Sequence, residues 1–327
     1  MTKTQTNTAK IWRVDVILTD GFPLIEYAAV VDVLRITNRV SAQPCFQWTV
    51  RSEKGGLIDS PSTAQVVTEP FTRMPNADYL FVVGNKDQDC PKLSLLPVID
   101  IYTSRQTKVF LLAEAASRYI KDRGESAAHL STHWENTAVM REQLASVVAD
   151  NALASEDGLV VTCAGMSATL DVVLSVVGQH VSAAVLMTVA NIFLHESIRD
   201  FSTRQPFGGT TGTQTRDQAL DQALEIMQAN VEEPLAVSEI CAQVGLSSRS
   251  LERRFRSRLQ TTPNTYYREM RLARANNLLL NTQMSIQEIA LACGFAGGFS
   301  AIYKQFFGQT PLQVRRKQRN HKAAKNL

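Results

Sequence analysis

The 327 residues carry 44% apolar side chains and a net charge of only +3, which is enough chain for two separate cores and too apolar for a disordered polymer. No run of about twenty apolar residues occurs, and the polar start from Met1 to Lys10 has no hydrophobic signal core, so neither a membrane span nor export is expected and the compartment is cytoplasmic. Five scattered cysteines (Cys45, Cys90, Cys163, Cys241 and Cys293), odd in number and without a CxxC pair, exclude a disulfide framework and a zinc site, so no metal and no cofactor is expected.

In chain order, the first part alternates short β-rich runs with helical patterns. The runs are VDVILT (14–19), FQWTV (46–50), YLFVVG (79–84), KVFLL (108–112), SVVAD (146–150) and LVVTC (159–163), with helices predicted between them, among them 24–39 and 166–177. Apolar strands interleaved with amphipathic helices predict an α/β domain, a mostly parallel sheet covered by helices on both faces in the flavodoxin-like manner. The segment FSTRQPFGGTTGTQT (201–215), rich in Gly, Ser, Thr and Pro, reads as a linker.

Beyond it the strand signals stop, and helical periodicity predicts helices over 219–230, 237–244, 248–259, 265–280, 286–293 and 299–307. The expected division is therefore 1–200, a linker over 201–215, an all-α domain over 216–320 and a basic tail over 321–327. Charge follows this division. From Thr213 onward there are 16 Lys and Arg against 9 Asp and Glu, whereas the preceding part has 18 against 22. A basic C-terminal part beside a slightly acidic remainder points to a polyanionic partner at that end.

Within the helical part a segment repeats. AVSEICAQVGLSSRSLERRF (236–255) aligns with SIQEIALACGFAGGFSAIYKQF (285–306), so that Ile240 meets Ile289, Gly245 meets Gly294 and Leu246 meets Phe295. Each copy reads as a short helix, a glycine turn and a second amphipathic helix. Ser285 with Glu288 forms a capping-box signature, and glycine at the turn takes the left-handed conformation that ends a helix sharply. In the second helix of the first copy, Leu251 and Phe255 at i and i+4 face the core and leave Ser248, Arg249, Glu252, Arg253 and Arg256 on the opposite side. Arginines near a helix start can reach guanine edges and phosphates in a major groove.

Two such units about 49 residues apart, joined by the helix YYREMRLARANNLLL (266–280), resemble the AraC/XylS DNA-binding domain over about one hundred residues. RLARANNLLL, SIQEIALACGF and FFGQTPLQVRR (306–316) carry the resemblance. It implies double-stranded promoter DNA as partner, a homodimer, and work with RNA polymerase. The second unit departs from the family, which has about two more residues between Phe295 and Tyr303 and often a base-reading arginine where Ala301 stands. Two glycines in a shortened turn predict a loosened or shifted second recognition helix. Ser300, Lys304, Arg315 and Arg316 are then expected to hold phosphates, with sequence reading left to the first unit.

The first domain resembles the ThiJ/PfpI, class I glutamine amidotransferase-like domain fused to AraC-type domains in GlxA-type regulators. TDGFPLIEYAAVVDVLRITNR (19–39), STHWE (131–135) and DGLVVTCAGMSATLDVVLSVV (157–177) carry that likeness. Catalytic relatives place a cysteine on a strand-to-helix elbow. Counting back from His133-Trp134 puts the elbow at Ala113-Glu114-Ala115 after KVFLL, so the nucleophile position is alanine, and Glu26 matches the acidic partner. The implied function is a regulator whose non-catalytic first domain senses a small metabolite.

Its expected ligand site gathers Glu26, Asn85, Ala113, Glu114, His133, Trp134 and Glu135 beyond the carboxyl ends of the strands. Three glutamates and an indole suit a cation, and the resemblance implies a small cationic or zwitterionic metabolite, amino-acid-like or a quaternary amine. The competing readings are a ThiJ/PfpI-type hydrolase or amidase, for which Cys163 is the nearest substitute thiol, and a constitutive DNA-binding protein whose first domain only dimerises.

Overall fold

The computed structural model describes residues 10–324 except 86, 88–89, 144–150 and 206–216. It divides into two compact units, Met1–Gln205 and Pro206–Leu327.

The first unit runs β1 (Trp12–Ile17), α1 (Leu24–Val40), β2 (Phe46–Ser52), β3 (Lys54–Asp59), β4 (Gln65–Pro70), β5 (Tyr79–Val82), α2 (Leu96–Thr103), β6 (Lys108–Leu112), α3 (Glu114–Arg123), α4 (Trp134–Gln143), β7 (Ala154–Asp157), β8 (Val160–Cys163), α5 (Ala168–Gly178) and α6 (Ala183–Ile192). The strands form one sheet in the order β3-β4-β2-β1-β5-β6-β8-β7. Pairing is parallel from β4 through β8 and antiparallel only at the two edges, β3 with β4 and β7 with β8.

The central strands are buried along their whole length because both faces are covered. Val14, Val16, Phe81 and Phe110 pack with Val30, Val33 and Leu34 of α1 and Val172, Val173 and Val176 of α5. The alternate residues Ile17, Leu80, Val82, Val109 and Leu111 pack on the other face with Ile99 and Tyr102 of α2 and Tyr119 and Ile120 of α3. This period of two turns each apolar run into two half-cores.

The expected strands at 46–50, 79–84, 108–112 and 159–163 are found, and the one at 14–19 begins two residues earlier. SVVAD at 146–150 lies outside the described residues. β3 and β4 escaped the sequence reading because Gly55 and Gly56 interrupt β3 and half of this edge hairpin faces solvent, with Leu57 61% and Val67 75% exposed. The linker expectation needs correction at its start. Leu153 and Ala154 donate backbone hydrogen bonds to the carbonyls of Thr203 and Phe201, and Gln205 N–H donates to Asn151. Residues 201–205 therefore belong to the first unit, and only the remainder of the expected linker lies outside the described residues.

In the second unit the described residues form helices only: α7 (Gln218–Ala229), α8 (Val237–Gln243), α9 (Ser248–Leu259), α10 (Pro263–Asn281), α11 (Ile286–Ala292), α12 (Phe299–Phe307) and α13 (Pro311–Ala324). Leu220, Leu224 and Met227 of α7 close a core with Ile240, Leu251, Phe255 and Tyr267. Asp217 caps α7 by accepting from Leu220 N–H and receives the guanidinium of Arg254. The start of the expected basic tail, 321–324, continues α13.

Candidate DNA interface and ligand site

The first helix-turn-helix is α8, a turn through Gly245 at φ +67°, and α9. Ser247 caps α9, its Oγ accepting from Ser250 N–H at 3.2 Å. Leu251 and Phe255 are fully buried, and Ser248, Arg249, Glu252, Arg253 and Arg256 are all exposed. The first four stand at i, i+1, i+4 and i+5, so they share one face over the opening turns of α9. Glu252 lies 3.9 Å from Arg256, a loose contact between exposed groups that leaves the arginine available to a phosphate.

The second helix-turn-helix repeats this plan with α11 and α12. The predicted capping box is present: Ser285 Oγ accepts from Glu288 N–H, and Glu288 Oε2 accepts from Ser285 N–H at 2.6 Å. Gly294, at φ +70°, has room for no side chain, since a Cβ would lie 2.4 Å from Cγ of Pro234 and 2.8 Å from the carbonyl of Val231. The two glycines do not dissolve α12. Gly298, left-handed at φ +68°, forms its N-cap, and buried Phe299 and Tyr303 seat the helix, with the Tyr303 hydroxyl donating to Asn276.

Ser300, Ala301 and Lys304 lie exposed on α12, and Arg316 is exposed on α13. Arg315 is not where the sequence reading put it. It is 8% exposed and donates from Nη1 to the carbonyl of Met284 at 2.6 Å, because Pro311 and Arg315, one turn apart on α13, both face inward. Arg316 alone of the pair faces outward.

In the first unit, the strand-to-helix elbow falls at Ala113. This residue follows β6 and caps α3 with φ +43° and ψ −108°, a conformation alanine adopts only under restraint. The restraint is visible: its N–H donates to Cys163, and its carbonyl accepts from Ser117 N–H and from the hydroxyls of Ser117 and Thr132. The elbow geometry persists without a nucleophile on it. Cys163, fully buried on β8 with its pKa pushed up to about 12 by burial, holds no thiolate at neutral pH.

Glu26 lies beneath the elbow with no exposed surface. Oε1 accepts from Met166 N–H at 2.9 Å and Oε2 from Gly84 N–H at 3.0 Å. Burial raises its pKa to about 7, and nearby Glu114 adds to the rise. Gly165 and Gly84 let the chain approach these carboxyls, since a Cβ at Gly165 would stand 2.4 Å from Glu26 and one at Gly84 2.6 Å from Glu114.

Both oxygens of Glu26 are thus engaged, so it supports the site and does not line it. Asn85 needs the same correction. It is 2% exposed and its amide donates to Thr19 Oγ1 and the carbonyl of Asp20, a tie between two loops. Glu114, His133 and Trp134 keep partial exposure, and Glu135 is exposed. Glu114 Oε1 accepts from Asn136 at 3.4 Å, while its buried Oε2 has no hydrogen-bond partner. Burial raises the pKa of Glu114 and of Glu135 and lowers that of His133 to about 4, so the imidazole is neutral at pH 7. His133 Nδ1 lies 3.6 Å from Glu135, and the His133 and Trp134 rings are 5.6 Å apart.

Gln205 was not singled out by sequence reasoning, because one glutamine in a polar segment carries no signal. It is 3% exposed, its amide donates to the carbonyls of Thr132 and Ala152, and its Oε1 accepts from Trp134 N–H at 2.9 Å. Among the described residues no cluster of three or more His, Cys, Asp or Glu suited to a metal occurs, and no helix is long and apolar enough to cross a membrane.

A helix-turn-helix domain family model matches residues 240–317. The chain is 30% identical over 319 residues to the HTH-type transcriptional regulator GbdR of Pseudomonas aeruginosa, covering 92% of this chain and 83% of that protein. It is 27% identical to the HTH-type transcriptional regulator GlxA of Rhizobium meliloti, covering 94% and 96%. A crystal structure of an AraC family transcriptional regulator from Pseudomonas putida matches with a TM-score of 0.47 at 20% identity, over 56% of this chain and 99% of that one.

Proposed function

The chain belongs to the AraC-type helix-turn-helix transcriptional regulators, together with GbdR and GlxA, and we propose that its first unit is a non-catalytic effector sensor that sets how the second engages promoter DNA. The observation that carries this reading is Gln205. The last described residue before 206–216 is clamped to Thr132 and Trp134, inside the segment that forms the rim of the elbow. A ligand that repositions His133, Trp134 or Glu135 therefore acts directly on the point where the chain leaves the sensor.

The effector class is a small cationic or zwitterionic amine. The unpartnered oxygen of Glu114, the carboxyl of Glu135 and a neutral imidazole favour positive charge, and Trp134 offers an aromatic face. In the second unit, α9 reads bases through Arg249 and Arg253, with Ser248, Glu252 and Arg256 beside them. Ser300, Lys304 and Arg316 hold phosphates. Two copies, paired as a homodimer in the cytoplasm, place readers on repeated half-sites and act on RNA polymerase from there.

The test uses the full chain. A panel of small amines is screened by thermal shift, and the stabilising compound is then tested for its effect on promoter affinity in the native protein and in Gln205→Ala. The variant is expected to bind the amine as before and to lose the change in DNA affinity, since coupling requires both sites to bias one element. An undiminished response in Gln205→Ala, or amine binding untouched by Glu114→Gln, refutes the reading.

A further inference from the structure

The first unit contains a cavity of about 670 Å³ that includes none of the elbow residues. Its position follows from the topology. β1 and β5 are parallel neighbours, but the chain leaves β1 through α1 on one face of the sheet toward β2 and leaves β5 through α2 on the other face toward β6. Where consecutive crossovers part in this way, the loops at the carboxyl ends separate and leave a crevice, the place where open α/β sheets bind ligands. The cavity lies on the β1 and β2 side of that crevice: Leu18 to Asp20 follow β1, Ser52 to Lys54 join β2 to β3, and Pro91 to Leu95 lead into α2.

The lining defines the ligand. Leu18, Ile58, Phe71 and Leu95 supply an apolar floor, and the rim carries charge. Lys92 is held by Asp20 at 2.8 Å, and Glu53 lies within electrostatic reach of the same ammonium. Asp20 therefore pairs with Lys92, and Glu53 adds to the field at that ammonium without an ion pair. Lys54, at the head of β3, is exposed on the same rim, and its ammonium has no ion pair or hydrogen bond among the described residues. An apolar interior of this size with one unanswered cation matches a ligand with an apolar body and a single negative end. We propose that this cavity is a second small-molecule site, for a short aliphatic or aromatic monocarboxylate whose carboxylate meets Lys54 and whose tail lies on the Leu18 and Phe71 floor.

This site stands independently of the elbow reading. Hexanoate, hexylamine and hexanamide serve as probes, each followed by ligand-observed NMR on the full chain. Hexanoate is expected to bind saturably and the other two more weakly. Lys54→Ala should weaken hexanoate about tenfold, the size of one charge-assisted hydrogen bond. Leu57→Trp, at a lining position 61% exposed on β3, should fill the cavity and abolish binding without disturbing the sheet. A thermal scan of each variant verifies the fold, and Glu114→Gln should bind hexanoate as the native protein does. No binding up to about 10 mM, equal binding of hexylamine, indifference to both cavity substitutions, or loss in Glu114→Gln each overturns the proposal.

Discussion

Replacing Arg315 with alanine removes a guanidinium that donates to the carbonyl of Met284 at 2.6 Å from a side chain only 8% exposed. The bond fastens α13 to the loop ahead of α11, and so fixes the base of the second helix-turn-helix. A hydrogen bond from a charged donor contributes about 1.5–3 kcal/mol, and truncation also strands the acceptor. A loss of about 2 kcal/mol in a unit of this size lowers its melting temperature by about 10 °C. The two units can be followed separately in the intact chain, because Trp12, Trp48 and Trp134 all lie in the first unit while the described residues of the second are helical. Far-UV circular dichroism should show the helical transition moving down while tryptophan fluorescence stays in place. At a temperature where Arg315→Ala remains folded, the salt slope of DNA binding should be native, whereas Arg316→Ala should lower it by about 0.9, the share of one phosphate. An unshifted melting curve with a reduced salt slope for Arg315→Ala would refute the reasoning.

Arg253→Ala should cost about 1–3 kcal/mol of promoter affinity and relax preference at one base position; uniform weakening on every sequence, measured by competition binding, would assign the side chain to phosphate. Gly294→Ala should destabilise the second unit by about 2–4 kcal/mol, since it adds a Cβ against Pro234 to the strain of a positive φ. Gly245→Ala, with nothing within 4 Å, should cost only about 1 kcal/mol, and equal losses in urea titrations would remove the distinction.

The first unit should also respond to pH through opposing groups, raised carboxyls against a lowered imidazole. Glu26, raised from 4.5 to about 7 by burial, keeps a proton in the folded state that the unfolded chain releases. Its contribution is full below pH 4.5 and is lost as pH rises through 7. His133, lowered from 6.5 to about 4 by burial, contributes stability present above pH 6.5 and lost as pH falls through 4. The slopes oppose each other over most of this range. In His133→Gln the opposing slope is removed and the raised carboxyls Glu26, Glu114 and Glu135 all act in one direction, so stability by tryptophan fluorescence should fall from pH 4.5 to 7, with Glu26 contributing up to about 3 kcal/mol. A flat profile in that variant would contradict a buried, protonated Glu26.

What the sequence could reveal was whatever depends on neighbours along the chain. The apolar runs of β5, β6 and β8, the Ser285-Glu288 box and the repeated helix-glycine-helix pattern are local, and each is found. The elbow at Ala113 was legible because the family resemblance, counted back from His133-Trp134, placed it directly after the apolar run KVFLL. The edge hairpin of β3 and β4 was not, since half-exposed positions, interrupted in β3 by Gly55 and Gly56, lack the alternation that marks a strand.

Tertiary packing settled what identical local patterns leave open. Arg315 and Arg316 are adjacent cations in the sequence, yet the rotation of α13 against the Met284 loop buries one and exposes the other. Gly245 and Gly294 occupy the same place in the repeat, but only Gly294 meets Pro234. Glu26 and Asn85 sit at the correct strand ends for a ligand, and long-range hydrogen bonds to Met166, Gly84, Thr19 and Asp20 consume their polar atoms. Gln205 gains its role from contacts with Thr132, Trp134 and Ala152, between 53 and 73 residues away along the chain. Periodicity and spacing specify which way a side chain can point on its own element; whether water, backbone or another element waits there is decided only when distant segments meet.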